Sequence, residues 1–222
     1  MSVLVFILLF IIMIGLIYLV HRYLSKSELY LLALIYGIIS FIMSFKMINI
    51  FGIYVNGSII FSTGLIMILY YFINKYNEKE IKRLIISIIL SICFIDVLVL
   101  INGLIEPSLY NNNYAYFRDM VVNNYMIFIL YPIFTFISLF LYTYLFKEIK
   151  KIKEDKDLKI LLPILGLTFI DIFIFVFLTN IIKFRFGISF MIALGNYIVK
   201  SFIMIGSIFL IDRIVKIKKV KP

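Results

Sequence analysis

The chain has 222 residues, of which 64% are hydrophobic and only 15% charged. With a mean hydropathy of +1.12, that composition excludes an ordinary soluble domain and describes a polytopic membrane protein. The formal charge of +10 would suggest a nucleic-acid partner in a soluble protein, but here it serves topology, and no nucleic acid is expected. A single cysteine, Cys93, lies inside an apolar run, so an intrachain disulfide is impossible and thiolate metal binding is not expected.

In chain order the apolar runs are 3–20, 29–45, 58–73, 84–105, 125–146, 161–182 and 190–211. They predict an all-α bundle of about seven transmembrane helices in a single membrane domain over 1–222. The first run has no basic start and no small-residue cleavage site before His21, so it is read as a helix rather than a signal. His21, the only histidine, falls at a helix end and is read as an interfacial residue.

Basic residues alternate with the runs. Arg22 and Lys26, then Lys75, Lys79, Lys82 and Arg83, six lysines between 147 and 159, and five basic residues from Arg213 onward place 17 on one side. Lys46, Arg118, Lys183 and Arg185 make 4 on the other. The positive-inside rule then predicts an N-terminus outside and a C-terminus in the cytoplasm.

Between the runs, KEIKKIKEDKDLK offers Lys150 with Glu154 and Lys153 with Asp157 at i,i+4 spacing, which continues the fifth helix into water. The stretch 106–124 is polar and aromatic and reads as an ordinary outer loop, with a lid as the sharper alternative. Helices two to four and five to seven would form a 3 + 3 inverted repeat with the first helix outside it, an arrangement in which transporters hold substrate near the midplane.

The last two runs, LLPILGLTFIDIFIFVFLTNII and FMIALGNYIVKSFIMIGSIFLI, each carry one ionisable residue near the middle, Asp171 and Lys200. Charge at that depth is costly, so opposite signs on neighbouring helices suggest a pair. Around Lys200, helical spacing aligns Ser189, Ala193, Asn196 and Ser207; around Asp171 it aligns Thr168 and Thr179. Such stripes either line a wet cavity or glue helices together, and the cavity is the reading taken here. Asp96 stands evenly between a substrate-contacting group and a carboxyl merely tolerated in the membrane. Thr63, within Ser62-Thr63-Gly64, marks either a local helix break that offers backbone to a ligand or simple packing.

Several segments resemble the queuosine precursor transporters, also called the vitamin uptake transporter family. LSKSELY after the first helix is similar to the opening of clostridial members, ILGLTFIDIFIFVF to the family's Gly-to-Asp sixth helix, and GNYIVKSFIMI to its Tyr-x-x-Lys segment. INIFGIYVNGSIIFSTGLIMILYYFINKYNEKEIKRLI resembles the family's short FG link, apolar helix and basic turn. The acidic motif expected after the third helix is lost: Tyr70 and Asn74 stand at its carboxylates and Asn77 at its glycine, with only Tyr76 kept. The resemblance therefore implies a divergent member, in a bacterial cytoplasmic membrane, importing 7-deazaguanine bases or an altered substrate.

A guanine-like edge would suit Asp171 as acceptor and Lys200 or Asn196 as donor, with Thr168, Asp96 and Thr63 as further candidates. The expected partners are the lipid bilayer, a small polar heterocycle, and a second copy or an energising module. No cofactor is expected. The alternatives are the substrate-binding subunit of an energy-coupling-factor vitamin importer and a membrane protein that transports nothing. Enzymatic activity is not expected, because the sequence has no second histidine, no Ser–His or Cys–His set and no metal cluster.

Overall fold

In the computed structural model all residues are described except 1, 24, 51, 105–121, 123–124, 152–156, 182–183 and 217–222. The side chains of 2, 103–104, 125–126, 151, 157–160, 212 and 214–216 are also left aside. The expected polar stretch 106–124, the two i,i+4 pairs, Lys183 and the lysines of the tail therefore lie largely outside the described residues.

Among the described residues seven helical rods follow one another. They are α1 (Ser2–Tyr23), α2 (Lys26–Met43), α3 (Ile59–Lys75), α4 (Glu78–Leu104), α5 (Tyr125–Lys151), a composite sixth rod, and α8 (Phe186–Lys216). The sixth rod is α6 (Asp157–Ile172), a π-helical turn (Phe173–Phe177) and α7 (Leu178–Ile181). Six of the seven are long and apolar enough to cross a membrane. The chain is a multi-pass, all-α membrane bundle. The helices fall on the seven expected runs and extend up to six residues past their expected ends, as α4 does in starting at Glu78. Ser25 caps α2 through the Ser27 N–H, while Glu28 accepts from the Ser25 N–H at 2.9 Å.

The centre of the bundle is α3, the shortest of the rods, with 13 of its 17 residues buried. It packs against α1, α2, α4, α5 and α8. An apolar helix with no polar face belongs in the interior of the bundle. Around it the other helices bury one stripe and turn Leu, Ile and Phe outward, such as Leu90 at 64% and Phe202 at 76% exposed, as a lipid-facing surface requires. Gly64 lets Tyr36 of α2 lie against α3: a Cβ there would come within 2.7 Å of the ring. Tyr36 then donates its hydroxyl proton to the Met13 carbonyl of α1 at 2.8 Å.

Three local findings add to the sequence reading. The short FG link is a β-hairpin, β1 (Met47–Ile50) antiparallel to β2 (Ile53–Asn56), with Met47 opposite Asn56 and Gly52 turning at φ +86°. Next, α3 runs unbroken through Ser62-Thr63-Gly64, as the packing alternative expects, and the Ser62 and Thr63 hydroxyls both donate to the Ile59 carbonyl of their own helix. Finally, His21, in the last turn of α1, is buried at 4% exposed, with its Nδ1 2.6 Å from the Tyr71 hydroxyl of α3.

Candidate functional site

Lys200 sits near the middle of α8, and Asp171 one residue before the end of α6. The packing of α6 on α8 brings them together, and the ammonium donates to Asp171 Oδ2. Both side chains are withdrawn from the surface, 5% and 14% exposed. Neither charge would be tolerable alone in hydrocarbon; together they neutralise each other, and the pair holds α8 against α6.

The pair forms one wall of a partly open cavity of about 60 Å³ between α3, α5, the sixth rod and α8. Facing it are the polar groups of Ser58 and Ser62 on the α3 side and Tyr131, Thr135 and Ser138 on α5. Apolar side chains, among them Phe134, Ile172, Phe175 and Val176, fill the remainder. The tyrosine is fixed: Tyr131 donates to Ser40 Oγ of α2 at 2.5 Å, and its ring meets Phe175 edge-on at 5.5 Å. Pro132, the next residue, has no N–H for the helical ladder, so α5 is weakest beside the cavity.

The π turn begins two residues after Asp171. Such turns widen a helix by one residue and displace its backbone hydrogen bonds. Here Thr179 Oγ1 donates to the Phe175 carbonyl at 2.8 Å and Asn180 Nδ2 to the Val176 carbonyl at 2.7 Å. That placement accounts for Thr179, whose expected face assumed an unbroken 3.6-residue period.

The remaining candidates divide. Asn196 lines the cavity, but its amide is already committed: Oδ1 accepts the Asn56 N–H of β2 at 2.7 Å, and Nδ2 donates to the Ile192 carbonyl at 2.6 Å. Thr168 is fully buried outside the cavity wall, donating to the Ile164 carbonyl at 2.8 Å with its hydroxyl 3.0 Å from that of Tyr142. Thr63 is fully buried on the far side of α3, away from the cavity. Asp96 belongs to α4 and does not reach the cavity; its buried Oδ1 meets no hydrogen-bond partner among the described residues. Along the Lys200 stripe, Ser189 bonds back to the Phe184 and Arg185 carbonyls, and Ser207 Oγ is buried without a partner among the described residues.

Thus the structure joins Asp171 and Lys200 and sets Asn196 beside them, but leaves Thr168, Asp96 and Thr63 elsewhere. Sequence reasoning missed Ser138, Thr135 and Tyr131. Their spacing of three and four residues along one face of α5 was the available signal. No group of three or more His, Cys, Asp or Glu side chains that could hold a metal occurs among the described residues. Compared with known proteins, the chain matches no family model, no curated protein and no solved structure.

Proposed function

We propose that this membrane protein is a transporter for a small polar solute, with Asp171 and Lys200 as its central binding groups. The observation that carries the reading is the buried ion pair on the wall of a partly open cavity among transmembrane helices. Ionisable side chains are rare at such positions, and where they occur they mark substrate and ion pathways. The pair presents an acceptor and a donor side by side. That suits a planar heterocycle whose edge carries both, and the resemblance to queuosine precursor transporters supports a 7-deazaguanine base. At about 60 Å³ the cavity has room for a few waters, whereas ligand pockets run to roughly 300–1,000 Å³. A heterocycle therefore fits only when the cavity walls part. The chain would lie in a bacterial cytoplasmic membrane with its basic links inside.

Purified protein in liposomes, with no ATPase module present, should accumulate labelled 7-deazaguanine bases. Asp171→Asn, which preserves size and removes the charge, should reduce uptake at least tenfold. Binding without uptake would point instead to a solute-binding subunit of a larger importer. If wild-type protein neither binds nor takes up the bases, the heterocycle assignment is lost.

A further inference from the structure

A second, larger void lies just across the hairpin from the Asp171–Lys200 cavity. It is an apolar groove of about 450 Å³ between the hairpin tip and the first half of α8, lined by Gly52, Ile53, Tyr54, Gly187, Met191 and Ile198 among others. What divides groove from cavity is a single contact zone. Ile53 and Tyr54 of β2 lie on the groove side, and Asn56, two residues on, lies on the cavity side. On α8 the division is by face: Gly195 and Ile198 line the groove, Asn196 and Lys200 the cavity.

The two ends of the hairpin are held very differently. At its base the Gly57 N–H donates to the Lys46 carbonyl at 2.8 Å, and Asn56 Nδ2 to the Ser44 carbonyl at 3.2 Å. A Cβ at Gly57 would come within 2.9 Å of the Met43 carbonyl, so the chain there is packed backbone to backbone. At the α8 side it is held by the Asn56 N–H to Asn196 Oδ1 bond and by the seating of Ile53 on the bare backbone of Gly195, with Val55 fully buried between them. Beyond that contact Tyr54 is 56% exposed, and a two-stranded ribbon of four-residue strands has little stability of its own.

We propose that the β1–β2 hairpin is the door to the Asp171–Lys200 cavity, hinging at Ser44–Lys46 and Gly57 and parting from α8 at Gly195 and Asn196. The ligand-sized groove is then the vestibule, and Asn196 is the latch rather than a substrate contact. What passes through rests on the transporter reading; where it passes rests on the geometry alone.

The test uses the full-length protein in liposomes, with Cys93→Ala and a reporter cysteine, Ser138→Cys, inside the cavity. A cationic methanethiosulfonate is too large for 60 Å³, so its reaction with that part-exposed cysteine should be slow until the cavity widens. Ile53→Cys with Gly195→Cys supplies the lock: the Ile53 Cβ and the Cβ added at Gly195 lie 3.9 Å apart, within the span of a disulfide. Oxidation should slow reporter labelling at least tenfold, and reduction should restore it. Gly195→Ala, without the lock, should speed labelling several-fold, because its Cβ would come 2.4 Å from Ile53 Cγ2 and wedge the door. Equal labelling of the oxidised and reduced forms, or no labelling of the reduced form, overturns the proposal whatever becomes of the Gly195 variant. Uptake of labelled base by the reduced lock, with Ser138 intact, tests the transporter reading separately. Labelling governed by the disulfide in a protein that moves no base would retain the door and discard that cargo.

Discussion

A lysine and an aspartate buried side by side among apolar helices stand or fall together. Removing one partner of such a pair leaves an uncompensated charge, at a cost of roughly 3–5 kcal/mol, whereas removing both leaves none. Asp171→Asn and Lys200→Gln should therefore each lower the thermal unfolding temperature in detergent markedly, and the double variant should recover much of the loss. Equal melting of all three would show that the two charges do not meet in the membrane. Asn196 makes a different prediction. Alanine there leaves the Asn56 N–H unsatisfied, and a buried donor in that state costs about 1–3 kcal/mol. Asn196→Ala should thus destabilise measurably, while Gly206→Ala, whose added Cβ meets nothing within 4 Å, should not. The pair was legible in the sequence because a charge in an apolar run has few alternatives. The role of Asn196 was not: a helical wheel shows which way a side chain points, not that a distant hairpin will claim it. Thr63 and Thr168 misled for a related reason, since a buried hydroxyl can bond to the carbonyl four residues back and need no ligand.

At the scale of elements, apolar periodicity located every helical rod, because hydrocarbon length and flanking charge fix where a spanning helix ends. It could not reveal the hairpin: MINIFGIYVN is a short apolar stretch beside a glycine, and only its packing on α8 separates a strand pair from a link. The π turn was equally invisible, as one extra residue in a helix leaves no mark on composition. A further consequence concerns the end of α3 away from the hairpin. There Lys150 of α5 reaches back to donate to the Ile73 carbonyl at 2.7 Å, satisfying a group in the last turn and complementing the helix dipole. Nearby, Lys147 pairs with Glu78 of α4 at 2.7 Å, but that carboxylate is 62% exposed and the pair is screened by water. Lys150→Met should therefore cost about 1 kcal/mol in a chemical unfolding series, and Lys147→Met should cost nothing measurable. The opposite ranking would mean that exposed charge, rather than capping, secures this end.

Across the whole molecule, charge and structure define two unlike ends. One holds the hairpin and the N-termini of α3 and α8; the other gathers Lys26, Arg83 and Lys147 around the Glu78 and Glu80 carboxylates, with Lys150 on the Ile73 carbonyl. Lysine and arginine near helix ends are retained on the cytoplasmic side during insertion, so the second end should face the cytoplasm and the hairpin should open outward. In that orientation the proposed door would serve import rather than release. Two exposed positions read it directly. With Cys93 replaced, Tyr54→Cys at the hairpin should react with an impermeant maleimide added to intact cells. Lys79→Cys at the start of α4 should react only after the membrane is opened with detergent. Labelling of position 79 in intact cells, with position 54 protected, would invert the molecule and turn the hairpin into an inner door, to be tested for efflux instead of uptake. Labelling at both positions in intact cells would mean that the rods do not alternate across the bilayer as their basic links require.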